Sequence, residues 1–180
     1  PKATAPPSVK ASRRKLVDRG DLAGEYRKMH LFSPHGEDRF FAHGESWLVA
    51  DTSIGRVAAA ICYDLRFPVW SRCDNDYDLL LYVANWPGTR RSAWLSLLPA
   101  RAVENLCYVA GVNRVGTDGN NVGCSGDSLI VDYLATIIAA AGDTVAAVSA
   151  TLSLDKLERY RKKFTAWKET DSFSLSDSGR

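Results

Sequence analysis

One cysteine stands between an apolar run and an ordered group of polar residues, where a thiol could act as a nucleophile. Cys62 follows the apolar run 57–61 and precedes Tyr63, Asp64 and Arg66. One interpretation is a core thiol, because free cysteine is among the most buried residue types. The other is a nucleophile presented at the end of a strand, where the thiolate attacks a carbonyl carbon.

A cysteine nucleophile needs neighbours that favour its thiolate and that stabilise the oxyanion formed during acyl transfer. His30, His35 and His43 all precede Cys62, and no Asn or Asp beside them indicates a Cys–His triad. Lys28 ends a strand-like segment, from which its ammonium could face the same pocket as Cys62. A Cys–His thiol hydrolase is therefore the less favoured alternative, and substitution of His30 would test it.

Composition limits the class of protein. The chain has 180 residues, 46% of them apolar and 24% charged, which is enough for one globular core. Lys and Arg number 23 against 21 for Asp and Glu, so charge gives no reason to expect a nucleic acid partner. The four cysteines show no C-x-x-C pairing. We therefore expect neither a metal nor a cofactor, and a reducing compartment fits the cysteines best.

Apolar stretches and the N-terminal composition lead to predictions about location and domain boundaries. No apolar stretch reaches the ~18 residues of a membrane span, and no apolar segment of a signal peptide is present near Pro1, so a cytoplasmic protein without a membrane partner is predicted. Residues 1–12 are rich in Pro, Ala, Ser and Lys and predict a disordered lead-in. The remaining residues, 13–180, are assigned to one domain with a C-terminal tail.

The elements that must position these side chains alternate between buried strands and amphipathic helices, which is typical of an α/β fold. Strands are predicted at 15–18, 22–30, 47–49, 56–63, 77–84, 108–112 and 127–132, with a further pair at 137–141 and 145–152 across Gly142 and Asp143. Apolar residues at helical spacing predict a helix over 90–106, which Pro99 should kink or divide. Ser153 is predicted to cap a last helix that ends near residue 164.

Six motifs occur in a fixed order, namely YRKMHLF, GEDRFFAHG, ICYDLRFP, LYVANWP, ARAVENLCYVAGVNRVGTDGN and GDS. In this order they resemble the carbon–nitrogen hydrolase (nitrilase) superfamily, and within it the omega-amidases, over about residues 13–175. Omega-amidases hydrolyse the terminal amide of 2-oxo acid amides such as 2-oxoglutaramate. The resemblance implies a nitrilase-like α-β-β-α sandwich and a small-molecule amide as the partner.

The resemblance also implies roles for individual residues. Cys62 would attack the amide carbon, expel ammonia and leave a thioester that water hydrolyses. Lys28 would stabilise the tetrahedral oxyanion, together with the backbone N–H of Tyr63. Glu37 matches the family's second glutamate, which orients the lysine and assists proton movement; otherwise it is a simple loop carboxylate.

Other positions carry weaker expectations. Asn85 and Trp86 follow a buried strand and are predicted to line the pocket, although plain packing explains a tryptophan at a strand end equally well. Cys107 and Cys124 are interpreted as core thiols. Ala135 stands where the family often has a turn glycine.

The start of the sequence departs from the family pattern. Family members place a first catalytic glutamate, the general base, ahead of the lysine, whereas only Asp18, Asp21 and Glu25 precede Lys28 here. We therefore expect a domain shortened at its N-terminal side. One hypothesis is an amidase whose missing portion is lost or supplied by another chain.

The alternative hypothesis is a non-catalytic remnant that serves as a binding or assembly subunit. In either case a homo-oligomer, most simply a homodimer, is expected. The polar tail keeps two aromatic residues, Trp167 and Phe173, that could form a docking arm.

Overall fold

The computed structural model describes residues 10–171. Within that range the α/β prediction is confirmed, with twelve strands and two α-helices joined by short 3-10 turns. The strands are β1 (Lys10–Ala11), β2 (Arg13–Asp18), β3 (Asp21–Arg27), β4 (Phe41–Ala42), β5 (Val49–Thr52), β6 (Gly55–Ile61), β7 (Leu79–Ala84), β8 (Tyr108–Asn113), β9 (Val115–Thr117), β10 (Gly123–Ser125), β11 (Leu129–Val131) and β12 (Ile137–Ala140). The helices are α1 (Arg91–Asn105) and α2 (Leu154–Lys163).

A six-stranded sheet in the order β12-β11-β8-β7-β6-β5 forms the centre of the fold. Its three middle strands, β6, β7 and β8, run parallel and are mostly apolar, as strands covered on both faces usually are. Because the three strands are parallel, their carboxyl ends meet at one edge of the sheet. The residues that follow these ends, beginning with Cys62 and Asn85, are therefore neighbours in space.

Helix α1 covers one face of this sheet. Trp94 and Leu98 on the helix belong to the same buried cluster as Leu80 and Val109 on the strands. Gly111 permits this close approach, since a Cβ added there would lie only 2.5 Å from Leu98 Cδ1. Pro99 lies inside α1 without dividing it, so the predicted break is absent.

Helix α2 and the β2–β3 hairpin lie against the other face, where Leu157 is buried with Val57, Leu79 and Tyr108. Ser153 caps α2 as predicted, since its side chain accepts a hydrogen bond from the backbone N–H of Lys156 at 3.3 Å.

One buried guanidinium fixes α2 to the sheet. Arg161 donates through Nε to the carbonyl of Leu106 at 2.8 Å, and through its terminal nitrogens to the carbonyl of Tyr77 and to Asp78 Oδ1. The side chain is almost wholly inaccessible to solvent. A cation at that depth is stable because each of its three nitrogens donates to an acceptor.

The predicted pairing of 137–141 with 145–152 is wrong. Strand β12 pairs instead with β11, antiparallel, and residues 145–152 form no strand. The cause is local turn chemistry, because Asp132 Oδ1 accepts the backbone N–H groups of Leu134 and Thr136, each at 2.9 Å. Ala135 in this turn adopts a φ of 66°, the left-handed region that favours glycine.

The last residues of the predicted lead-in, 10–12, pair with other parts of the chain. Lys10 and Ala11 form β1, which pairs in parallel with β4, and Ser12 O accepts the backbone N–H of Lys28 at 2.8 Å. These backbone pairings give residues 10–12 an ordered path beside the segment that carries Lys28. The rest of the lead-in, 1–9, and Phe173 of the tail lie outside the described residues.

Within residues 10–171, none of the helices combines the length and the apolar character that a bilayer crossing requires.

Candidate active site

Cys62 begins the turn at the carboxyl end of β6, as the first residue of the 3-10 segment Cys62–Arg66. Its φ is 48°, a conformation that residues other than glycine seldom adopt. The sharp turn brings the half-buried thiol to the edge of the sheet. Such strain persists only where the surroundings fix it, and it is often found at functional sites.

Lys28 and Glu37 form an ion pair beside this turn. Lys28 follows β3 directly, is only 4% exposed, and directs its ammonium at Glu37 Oε2. The same oxygen accepts the backbone N–H of Phe32 at 2.7 Å, which fixes the carboxylate in its loop. The buried cation is thus held in one orientation by a carboxylate that is itself anchored to the backbone.

A cavity of about 500 Å³ opens at this edge of the sheet. All six residues predicted from the sequence line it, namely Lys28, Glu37, Cys62, Tyr63, Asn85 and Trp86. The volume suits a small organic molecule. The structure therefore brings the predicted residues together around one space, as acyl transfer at a single carbon requires.

Two opposing effects act on the thiol of Cys62. Burial raises its pKa, while the Lys28 ammonium and the backbone N–H of Asn85 lower it; Glu37 and Asp64 raise it further. The net pKa lies above the ordinary value for cysteine. Lys28 therefore acts in the expected direction, but burial outweighs it, and the resting protein holds Cys62 mainly as a thiol.

Trp86 is fixed by its neighbours as well as exposed to the cavity. Its backbone N–H donates to Asn113 Oδ1 at 2.7 Å, and its indole Nε1 donates to the carbonyl of Arg90 at 2.7 Å. Asn113 in turn donates through Nδ2 to the carbonyl of Gly126 at 2.8 Å. Both roles considered for Trp86, lining the pocket and packing, are therefore present in the geometry.

Sequence reasoning missed a buried carboxylate under the site. Asp64 accepts hydrogen bonds from Tyr26 Oη, from the backbone N–H and Nδ1 of His30, and from the backbone N–H of Ile61, at 2.9–3.0 Å. It joins the end of β3 to the turn that carries Cys62. The signal available in the sequence was an aspartate only two residues after the candidate nucleophile.

Most of the remaining candidate acids and bases lie elsewhere or serve other contacts, whereas His35 lines the cavity. Among the described residues ahead of Lys28, no carboxylate lines the cavity, and Glu25 is paired with Arg13 at 3.3 Å. His30 does not line the cavity either, because its ring bonds to Asp64 and stacks on Phe67.

Two further thiols lie in the interior of residues 10–171. Cys107 and Cys124 are buried, as predicted for core thiols, although Cys124 also lines the cavity. Within that range no cluster of three or more His, Cys, Asp or Glu side chains is arranged to hold a metal ion.

The chain is similar in sequence to known carbon–nitrogen hydrolases. A sequence profile of the carbon–nitrogen hydrolase family matches residues 14–162. Omega-amidase YafV of Escherichia coli strain K12 is 47% identical over 161 residues, covering 89% of this chain and 63% of the relative. The chain thus spans less than two thirds of the length of that curated relative.

Two solved structures are similar in fold. A CN-hydrolase superfamily protein from Xanthomonas campestris, with an arsenic adduct in its active site, superposes with a TM-score of 0.83 at 42% identity, covering 87% of this chain and 62% of the other. A mutant amidase from Nesterenkonia sp. superposes with a TM-score of 0.68 at 29% identity, covering 73% of this chain and 51% of the other. The latter shows covalent addition of the acetamide moiety of fluoroacetamide at its active site cysteine.

Proposed function

The chain belongs to the carbon–nitrogen hydrolase family of the nitrilase superfamily, and we propose that it is an amidase of the omega-amidase type. Its substrate is the terminal amide of a 2-oxo acid, with 2-oxoglutaramate as the representative compound. The observation that carries the proposal is the meeting of Cys62 with the Lys28–Glu37 ion pair in one cavity.

The chemistry follows from these groups. Cys62 Sγ forms a bond with the amide carbon, and the negative charge moves to the carbonyl oxygen, where the Lys28 ammonium and the Tyr63 N–H stabilise it. The proton that the Cys62 thiol loses on attack reaches the amide nitrogen, the C–N bond breaks, and ammonia leaves. Water then adds to the thioester carbon, the C–S bond breaks, and one proton of the water returns to Sγ. The acid released ionises to a carboxylate. Glu37 holds Lys28 in place and assists the proton transfers.

Two facts support the cysteine as the nucleophile. The left-handed turn at Cys62 places this residue in the lining of the cavity, although it also packs against the core. The Nesterenkonia amidase, similar in fold over most of this chain, carries a covalent adduct at its own active site cysteine. A buried ammonium beside the reacting carbon is worth more than one in water, because the local dielectric is low.

The test is ammonia release from 2-oxoglutaramate by the 180-residue chain. We expect slow release, because no carboxylate ahead of Lys28 lines the cavity in the described range and a positioned base contributes ~10²–10⁴-fold. Cys62→Ala and Lys28→Met should abolish release, while the matched control Lys156→Met, on the exposed side of α2, should not. Equal release by wild type and Cys62→Ala contradicts the proposal.

The second candidate function is a non-catalytic binding or assembly subunit. It is favoured by the absence of a cavity-lining carboxylate among the described residues that precede Lys28. Folded wild-type protein that forms no ammonia, even at stoichiometric concentration with substrate, supports this candidate over the amidase.

We further propose that copies of the chain self-associate. Large apolar side chains are exposed on the described surface, among them Phe40 at 70% and Leu22 at 61%. Sedimentation at micromolar concentrations should show a species heavier than the monomer. A monomer at every concentration contradicts this proposal without bearing on the chemistry.

A further inference from the structure

The cavity that holds Cys62 is lined by an excess of positive charge. Four guanidinium groups, those of Arg14, Arg66, Arg90 and Arg114, line it together with the Lys28 ammonium. Only two carboxylates of the described residues do so, Glu37 and Asp118. Glu37 is already neutralised by its ion pair with Lys28. The remaining charge favours an anionic ligand.

Asp118 offers little compensation for this charge. Its Oδ1 accepts the backbone N–H groups of Asn120 and Val122 at 2.8 and 2.9 Å. These bonds lower the pKa of its carboxyl group, so it stays ionised but is committed to its own turn. The charged side chains of the cavity lining therefore sum to a net positive charge.

Arg90 differs from the other three arginines in its surroundings. Its guanidinium carbon lies 5.2 Å from the centroid of the Phe32 ring, and the side chain is half-buried. Within residues 10–171 that guanidinium forms no hydrogen bond or ion pair. A guanidinium that stacks on a ring, is partly desolvated and keeps free N–H donors can bind a planar anion such as a carboxylate through two hydrogen bonds.

The other three guanidinium groups are exposed and less suited to this role. Arg114 donates to the carbonyl of Thr117 at 2.9 Å, and Arg14 donates to the carbonyl of Arg13 at 2.8 Å. Arg66 stacks on Trp86, with its guanidinium carbon 5.2 Å from the ring.

Phe32 connects Arg90 to the reacting groups. The centroid of its ring lies 4.9 Å from that of Tyr63, the residue after Cys62. Its backbone N–H donates to Glu37, which holds Lys28. Phe32 therefore lies between Arg90 and the turn that carries Cys62.

We propose that Arg90 forms the carboxylate-binding subsite of this cavity and sets its preference for amides that carry a carboxylate at the far end. This inference rests on the proposed function, because it assumes that the amide lies at Cys62. Two parallel N–H···O bonds from the guanidinium fork to the carboxylate fix the distance between the bound anion and the thiol. Neutral amides of the same length lack that anchor.

The experiment measures ligand binding at the thiol and needs no turnover. Labelling of Cys62 by N-ethylmaleimide is followed by peptide mass spectrometry, with glutarate as the anionic probe and glutaramide as its neutral counterpart. Glutarate should protect Cys62 in wild type more strongly than glutaramide does. Arg90→Gln should raise the apparent Kd of glutarate about tenfold or more, the size of effect expected for a bond to a charged group.

Two further variants complete the design. Arg159→Gln, an exposed arginine of α2, is the matched control and should leave glutarate protection unchanged. Arg90→Lys keeps the charge without the fork and should give an intermediate Kd; it also replaces Arg90→Gln if that variant melts at a lower temperature. Equal protection by glutarate in Arg90→Gln and wild type, or none in wild type, overturns the subsite.

This outcome is separable from the fate of the proposed function. Arg90-dependent protection by glutarate without ammonia release supports the subsite and contradicts the amidase. Ammonia release with protection that does not depend on Arg90 supports the amidase and overturns the subsite.

Discussion

At the scale of single residues, Asp64 joins the two segments on which the candidate chemistry depends. Through Tyr26 and His30 it holds the end of β3, from which Lys28 extends, and through the N–H of Ile61 it holds the last residue before Cys62. The aspartate is 1% exposed, so each of these bonds replaces water that the carboxylate has lost. It acts on the site by positioning other groups.

The Asp64→Asn variant should therefore be strongly destabilised, although it is nearly isosteric. One acceptor oxygen becomes an amide NH₂ facing donors, and we expect the free energy of unfolding to fall by about 2–4 kcal/mol. Urea denaturation followed by circular dichroism measures this change. Asp51→Asn, at an exposed position of β5, is the control and should be neutral. A loss no larger than that of Asp51→Asn contradicts the positioning role.

The direction of the pKa shift of Cys62 can be tested by pH-dependent alkylation. Burial holds the thiol protonated, so the alkylation rate should keep rising with pH past the ordinary pKa of cysteine. The Lys28 ammonium lowers that pKa, so Lys28→Met should move the pH–rate curve to higher pH. Iodoacetamide labelling of Cys62 between neutral and alkaline pH measures both curves, with Lys156→Met as control. Movement to lower pH in Lys28→Met would show that the ammonium does not favour the thiolate.

At the scale of elements, the β11–β12 hairpin is closed by a turn that carries local strain. Ala135 has a φ of 66°, where an L-residue with a Cβ pays about 1–2 kcal/mol relative to the right-handed region. Ala135→Gly should thus raise the free energy of unfolding by about 1 kcal/mol. The same change in the neighbouring strand, Ala139→Gly, should lower it. Paired urea unfolding curves measure both, and an identical effect at the two positions would refute the strain argument.

The docking of α2 depends on one side chain rather than on its apolar surface alone. Arg161→Met keeps an unbranched apolar stem but removes the guanidinium that donates to the carbonyls of Leu106 and Tyr77. We expect faster hydrogen exchange over 154–163 and a free energy of unfolding lower by about 2–4 kcal/mol. Arg159→Met on the exposed side of the same helix is the control. Unchanged exchange in Arg161→Met would contradict this account of docking.

At the scale of the whole molecule, the sequence was informative where periodicity and motif order decide the structure. The apolar runs at β6, β7 and β8 predicted these strands, though not their parallel direction, and the order of motifs led to the expectation that Lys28, Glu37 and Cys62 share one pocket. The partner of β12 was not predictable from apolar runs, because a competing turn at Asp132 determined it. Apart from the local bond between Ile61 and Asp64, the contacts of Asp64 and Arg161 join residues 34 to 84 positions apart, so no local pattern reveals them.

The parallel arrangement of β6, β7 and β8 also determines at which stage of folding the cavity forms. The cavity needs the carboxyl ends of three parallel strands, where Cys62, Asn85 and Asn113 lie. Long connections separate these strands in the sequence, and pairings between distant segments form slowly during folding. In the unfolded chain Cys62 is solvated and should react as an ordinary thiol, whereas in the native chain burial raises its pKa, from which we expect slower reaction. Pulse labelling during refolding should accordingly show Cys62 becoming protected later than helical circular dichroism appears. The protection of the Cys62 thiol thereby reports on when the central sheet forms.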